Sequence, residues 1–520
     1  MENPILALYV AKGRGDRRGG DHSDPGGTDR SGHHIQIPAD QSGADHLRED
    51  YQRKRQHLAG EGARETGVRG EITVFVSLIF ILLVSFAGSL MESASIQMAK
   101  NYRRADMNRA IESVFAEYQK ELLEEYDIFA LDGSYETGSY AEGNLKDRLE
   151  YYGAANMEHQ IKRIQFLTDR DCQAFWQQAA WYMEQRYGLD IVKDWTGMTS
   201  VWGQQEDQAK EYQTEEKEME QNLENLLEAN EGELPAEENP IAHVGQLQSS
   251  PILNLVMPKD VAVSEKRVDP GGLLEHRERN SGYGDFSDVA EESGTLSTLL
   301  FGEYLLEHFS LFTDEEKTGA LDYELEYILE GKPSDRENLE GVVKKLMLIR
   351  FVPNYAYIQT DAAMKAEAEA MALTLCSLLA VPAITAAAAQ VILLAWAYGE
   401  TVMDLRSLLA GSRVPLVKTK DSWQLSLSSL LKLGTEEDLS DGKDTEGGLP
   451  YREYLRMLLF LKPQGEMALR TLGMIEQNLR KEEGLTWFRA DLCISRVEFR
   501  SQVSLRRGIR YDFPTYFGYQ

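Results

Sequence analysis

The sequence predicts a mostly helical α+β protein: an N-terminal transmembrane helix that continues into a long amphipathic helix, a small α+β unit, and a larger helical domain ending in antiparallel strands. Three observations predict it. Ile72 to Met91 is a run of 20 residues without a charge, in a chain of 520 residues with a net charge of -30. Apolar residues recur at helical spacing in "GTLSTLLFGEYLLEHFSLF", "NLEGVVKKLMLIRFVPNYAYI", "YREYLRMLLFLK" and "EMALRTLGMIEQNLRK". Near the end, "WFRADLCISRVEFRSQVSLRRGIRYDF" alternates roughly every second residue, as strands with one covered face do.

Residues 1–69 are rich in Gly, Asp, Arg, Ser and His and lack a sustained apolar period, so a disordered tail is expected. Residues 70–91 follow as the anchor. At 1.5 Å per residue the uncharged run spans about 30 Å, the thickness of a bilayer's hydrocarbon core. That length favours a permanent span over a cleaved signal, although Ser93-Ala94-Ser95 is of the small-x-small kind. Ile72, Val74, Phe75, Leu78, Ile79, Phe80, Ile81, Leu82, Leu83, Val84 and Phe86 would meet lipid. Thr73, Ser77, Ser85 and Ser89 can satisfy their hydroxyls within the helix. Orientation is nearly undetermined by charge: Arg53, Lys54, Arg55, Arg64 and Arg69 precede the span, and Lys100, Arg103, Arg104 and Arg109 follow it.

Residues 92–131 keep a helical period without Pro or Gly from Met91 to Leu131, with Ala110, Ile111, Val114, Phe115, Tyr118 and Leu122 on one stripe. Two readings follow. The stripe packs against partner subunits, as in a filament, or it packs on its own domain. Residues 132–201 read as a small α+β domain, and 202–250 as a strongly acidic linker region in which a solvated helix breaks at Pro235. Residues 251–520 form the helix-rich domain with C-terminal strands. Within it the uncharged run Met371–Tyr398 is long enough to cross a membrane, but its alanines, Pro382 and Gln390 favour two buried helices broken at the proline. The aromatic "YDFPTYFGYQ" reads first as core or edge-strand filling and second as a docking surface.

The acid excess, 85 Asp plus Glu against 55 Lys plus Arg, repels phosphate backbones and argues against nucleic-acid binding. Cys172, Cys376 and Cys493 are too far apart for a zinc module. No HExxH, G-x-S-x-G or phosphate-loop motif occurs. Lys317-Thr318-Gly319 and Ser429–Lys432 match fragments of the penicillin-binding signature, but in the wrong order and without S-D-N between them. "EEDLSDGKDTEGG" fails as a calcium loop because Leu439 and Gly448 fall at ligand positions. No catalytic residue, metal ligand or cofactor site is assigned.

The segment from "RGEITVFVSLIFILLVSFAGSLMESASIQMAKNYRRADMNRAIESVFAEYQKELLEEYDIFALDG", with "LDYELEYILEGKPSDRENLEGVVKKLMLIR" and "AWAYGETVMDLRSLLAGSRVPLVK", resembles an uncharacterised family of membrane-anchored proteins from Gram-positive anaerobes. Members of that family look like companions of tight-adherence (Tad, Flp-type) pilus machinery. A similarity to TadE-like pseudopilins is weaker: Gly70 is placed as in a prepilin site, but the fifth residue after it is Phe75 rather than Glu. The resemblance implies a non-enzymatic, single-pass envelope protein with its acidic body outside, acting as a minor pilin-like or scaffold subunit with pilus or secretion-system partners. The alternatives are an anchored wall-polymer hydrolase whose active site is unidentified, and a two-span accessory protein.

Overall fold

The computed structural model describes residues 68–519, apart from 260, 290–293, 378, 380, 439, 482 and 483. Residues 1–67 of the tail expected to be disordered lie outside the described residues. Two compact units are present: the chain up to Arg103 together with Leu505–Ile509, and Arg104–Ser504 together with the residues from Arg510 onward.

The first unit contains most of α1 (Val68–Phe115), one continuous helix of 48 residues. Its apolar half has a mean hydropathy of 2.6 and is bare, with none of that window buried. Phe75, Phe80, Leu82 and Phe86 are each more than half exposed. The Ser77 hydroxyl donates to the Thr73 carbonyl at 2.8 Å, and Ser89 to Phe86 at 2.8 Å, so these polar groups are satisfied without water. A helix apolar on every side and uncovered by protein is a candidate membrane span.

In the second unit α1 ends at Phe115, short of the expected 92–131 helix. The chain turns, Gln119 donates its N–H to the Ala130 carbonyl at 2.8 Å, and α2 (Lys120–Tyr126) starts afresh. This break brings Leu122, Tyr126 and Ile128 into the interior. The segment "YDIFALDG" contributes only the two-residue strand β1 (Leu131–Asp132), and the Asp132 carboxylate shapes the following turn by accepting from the Ser134 and Glu136 N–H groups. Next come α3 (Glu142–Leu149), β2 (Glu158–Phe166) and α4 (Asp169–Tyr187), which stops at Gly188, φ 71°. Two further helices are α5 (Asp190–Thr196) and α6 (Thr199–Ala229).

Helix α6 occupies the segment expected to be an acidic linker. Trp202, Ala209 and Leu223 are buried, and Tyr212, Met219 and Leu226 are partly buried against the core. These six fall on the two apolar positions of a seven-residue repeat, so the acids cover the remaining faces of a packed helix. The helix-rich remainder follows: α7 (Pro240–Gln248), α8 (Thr295–His308), α9 (Glu324–Glu330), α10 (Asp335–Ile358), α11 (Ala362–Leu375), α12 (Pro382–Leu409), α13 (Tyr451–Leu461) and α14 (Gln464–Leu479). The Ser334 hydroxyl caps α10 and the Asp361 carboxylate caps α11. Pro382 opens α12 where its missing N–H leaves no bond broken. The uncharged run is therefore two helices divided before the proline. The second of them is a core helix packed by α6, α7, α10 and α11.

The last strands are β3 (Cys493–Ser504) and β4 (Arg510–Gly518). β3 is central to the sheet and pairs antiparallel with β1, β2 and β4, in register Leu131↔Ile494, Ile164↔Val497 and Phe499↔Thr515. The segment 132–201 thus does not close on itself, because its strands find their partner at the other end of the chain. Phe115 stacks on Phe517 with ring centroids 4.4 Å apart, and the Tyr519 hydroxyl donates to the Phe115 carbonyl. Phe115→Ala should lower the unfolding free energy of the body by about 3 to 5 kcal/mol. Denaturant unfolding in detergent, with the partly exposed Tyr118→Ala as the milder control, measures it.

Candidate functional site

The structure separates the two sets of residues singled out from the sequence. The residues expected to form the anchor, Ile72 to Phe86, are exposed along a candidate membrane span. Of the stripe expected to pack against partners or on its own domain, Ile111, Val114, Phe115 and Leu122 are at most 2% exposed inside their own body, and only Tyr118 is partly open. Of the C-terminal aromatics, Phe513 and Tyr519 are buried in that interior, whereas Tyr516 is exposed.

The densest chemistry lies where sequence reasoning assigned nothing, on core helix α12. One turn apart, Glu400 and Asp404 point at Lys418, whose ammonium lies 2.5 Å from Glu400 and 2.6 Å from Asp404. Arg350 from α10 donates to Asp404 at 2.9 and 3.2 Å, and its other arm donates to the Leu416 carbonyl at 3.0 Å. Asn354 bridges Asp404 at 2.9 Å and Thr401 at 3.0 Å. Glu400 also accepts from the Gln424 and Leu425 N–H groups, the latter at 2.7 Å. Two cations balance two anions, all four are buried, and Trp423 and Tyr454 form apolar walls beside Lys418 and Arg350.

Burial pushes Glu400 above the ordinary carboxylate range, against the pull of Lys418. Burial would do the same to Asp404, but Arg350, Lys418 and Asn354 outweigh it and hold that group low. This arrangement pins the 411–425 loop to α10 and α12.

A second clasp holds the loop that carries Arg277 and Asn280. Arg277 reaches Glu476 at 2.7 Å and Asp491 at 2.6 Å, and Asn280 donates its N–H to Asp491 at 3.0 Å. Arg480 also pairs with Glu476 and Arg489 with Asp491, so three guanidiniums share the two carboxylates. Both clasps fasten loops to helices.

Other residues weighed in the sequence also have structural roles. The three cysteines are free and buried, Cys376 among them in the core. Lys317 donates to the Phe312 carbonyl at 2.7 Å. Asp438 of the acidic turn pairs with Arg406 at 2.6 Å and accepts from the Gly434 N–H. Among the described residues no group of three or more His, Cys, Asp or Glu is arranged for a metal. An open cleft of about 820 Å³ lies between α7, α11 and the 427–432 turn; its His243 ring bonds the Leu433 carbonyl at 2.9 Å.

Fold and clasps together describe a candidate single-span protein with a helix-rich body, its loops tied down by buried charge. The chain belongs to a family of unknown function (DUF5702), whose profile matches residues 230–505. No curated protein and no solved structure matches it.

Two measurements test the electrostatics. Lys418→Met leaves buried Glu400 without a cation and Asp404 with Arg350 alone, and should cost about 3 to 5 kcal/mol, part of it recovered when Glu400→Gln is added; denaturant titration of the four species gives the coupling. The second concerns Glu216, which occupies the seam of α6 between Ala209 and Leu223. Burial first, and Glu220 next, raise it to about 7. A carboxyl raised in the folded state contributes stability that is complete below its ordinary range and is lost as pH rises through about 7. The wild-type Tm should therefore fall from about pH 5 to about pH 8. Glu216→Gln should flatten that fall and gain about 1 to 2 kcal/mol at the alkaline end, after allowing for partial solvation.

Proposed function

We propose that this protein is a membrane-anchored, non-enzymatic scaffold of the bacterial cell envelope, with its acidic body displayed on the extracytoplasmic side for partner subunits. The observation that carries the reading is the bare apolar half of α1, of which no part of the most apolar window is covered by the protein itself. Such a surface is tolerable in lipid and strongly unfavourable in water. The body attached to it spends its buried charge on fastening loops, which suits a rigid binding platform.

The partner surface in this reading is not the Ile111–Leu122 stripe, which is already buried. It is the outer face of α6, where Asp207, Glu211, Glu218, Glu224 and Glu228 are exposed. A partner with a basic surface fits that face, and its association would be steered by charge and weakened by salt. The finer assignment, a minor pilin-like or scaffold component of a Tad-type pilus or secretion apparatus, rests on the resemblance of the anchor and the following helix to that class of proteins.

The test is co-purification from membranes in mild detergent. Pilus or secretion-system subunits should accompany the full chain, and charge reversal of Asp207, Glu211 and Glu218 should release them without changing the body's Tm. Recovery of the chain from the soluble fraction, or piliation unaffected by its deletion, would overturn the proposal.

A further inference from the structure

We propose that the turn between β3 and β4 is a docking site for anionic phospholipid headgroups of the bilayer that α1 enters. The inference rests on reading Ile72–Met91 as a membrane span. In a chain with an excess of 30 negative charges this turn reads "LRRGI", and it belongs to the same compact unit as the apolar half of α1. Arg506 and Arg507 are both exposed, the Arg507 side chain 76% so. The Arg507 guanidinium pairs with Glu92.

Glu92 is the first charged residue after the uncharged run, and this sets the height of the turn. It lies one residue, about 1.5 Å of helix, beyond Met91. The headgroup layer on each side of a bilayer's hydrocarbon core is about 5 to 8 Å thick. Arg507 therefore sits at headgroup level, with Arg506 beside it. Lys100, about 14 Å along the axis from Met91, is still within roughly one Debye length of the outer headgroups.

The backbone favours display over packing. The Leu505 N–H closes the turn onto the Ile509 carbonyl at 2.7 Å, and Arg507 adopts φ 60°, ψ 24°, in the left-handed region where glycine is easier. A bulky basic side chain retained at that position, with Gly508 next at φ 73°, points outward rather than into a core.

The occupant follows from charge and from the anchor. The net charge of the chain repels free polyanions at long range. An anionic surface held in place by the span meets the arginines regardless of that field, because the encounter is intramolecular in effect. Phosphate diesters of lipid headgroups offer the oxygens that guanidinium forks bind.

The experiment uses the full chain in nanodiscs of phosphatidylcholine, with and without phosphatidylglycerol. A fluorophore is placed on Ser504→Cys, since the native cysteines are buried, and quenching by headgroup-labelled lipid is read. Quenching should be stronger with phosphatidylglycerol and weaken at high salt. In R506Q/R507Q the contact equilibrium should fall by about fivefold per arginine. E92Q, which releases Arg507 from its partner, should move it the other way, and opposite responses of the two variants do not arise from misfolding. Equal quenching in both lipids, or no change in R506Q/R507Q, would overturn the proposal. A chain that enters neither kind of disc would overturn the span itself, and that outcome is distinguishable from loss of lipid preference.

Discussion

The ammonium of Lys418, held between Glu400 and Asp404 on the central helix, is the interaction around which the body is organised. A cation in an apolar core is tolerable only when its charge and all its hydrogen-bonding capacity are answered locally. Here the answer comes from two carboxylates one turn apart on α12, and their remaining oxygens are met by Arg350, Asn354 and two backbone N–H groups. Such a cluster adds less to stability than an apolar core of equal volume would, because desolvation offsets most of the attraction. Its effect is on uniqueness: the 411–425 loop has one seat, and α10 and α12 have one register. Helices rich in Ala and Leu pack against one another in several nearly equivalent ways, and a buried quartet removes that freedom.

The sheet imposes the second constraint. Because β3 supplies the partner for β1 and β2, the strands near residues 131 and 164 cannot be completed until the end of the chain is present. The helices between are held in a loop closed by strand pairing and by the aromatic contact of Phe115 with Phe517 and Tyr519. Closure of this kind ties the base of α1 to the last residues of the body.

Helix α6 shows how composition can mask pattern. Its many acids resemble those of a solvated helix with no packed face, and a count of charges favours that reading. The repeat Trp202, Ala209, Glu216, Leu223, with Tyr212, Met219 and Leu226 between, was visible in the residues. The seam carries a glutamate in its middle, which broke the apolar signal at the one place where it mattered. The burial of that carboxyl and the raising of its pKa are two expressions of the same fact.

By themselves the residues determined the apolar run, its length, its self-satisfied hydroxyls, the break before Pro382 and the alternation of the last strands. Each of these is a local property, set by hydrophobic period, helix rise or the missing N–H of proline. Only the tertiary structure decided what the Ile111–Leu122 stripe faces, which strands pair, where the acidic helix packs and which charges meet. Those outcomes depend on residues in different elements, some of them hundreds of positions apart, competing for the same surface. Lys418 beside Asp404, or Arg507 beside Glu92, is invisible until the chain has folded, because nothing in the local spacing of either partner announces the other.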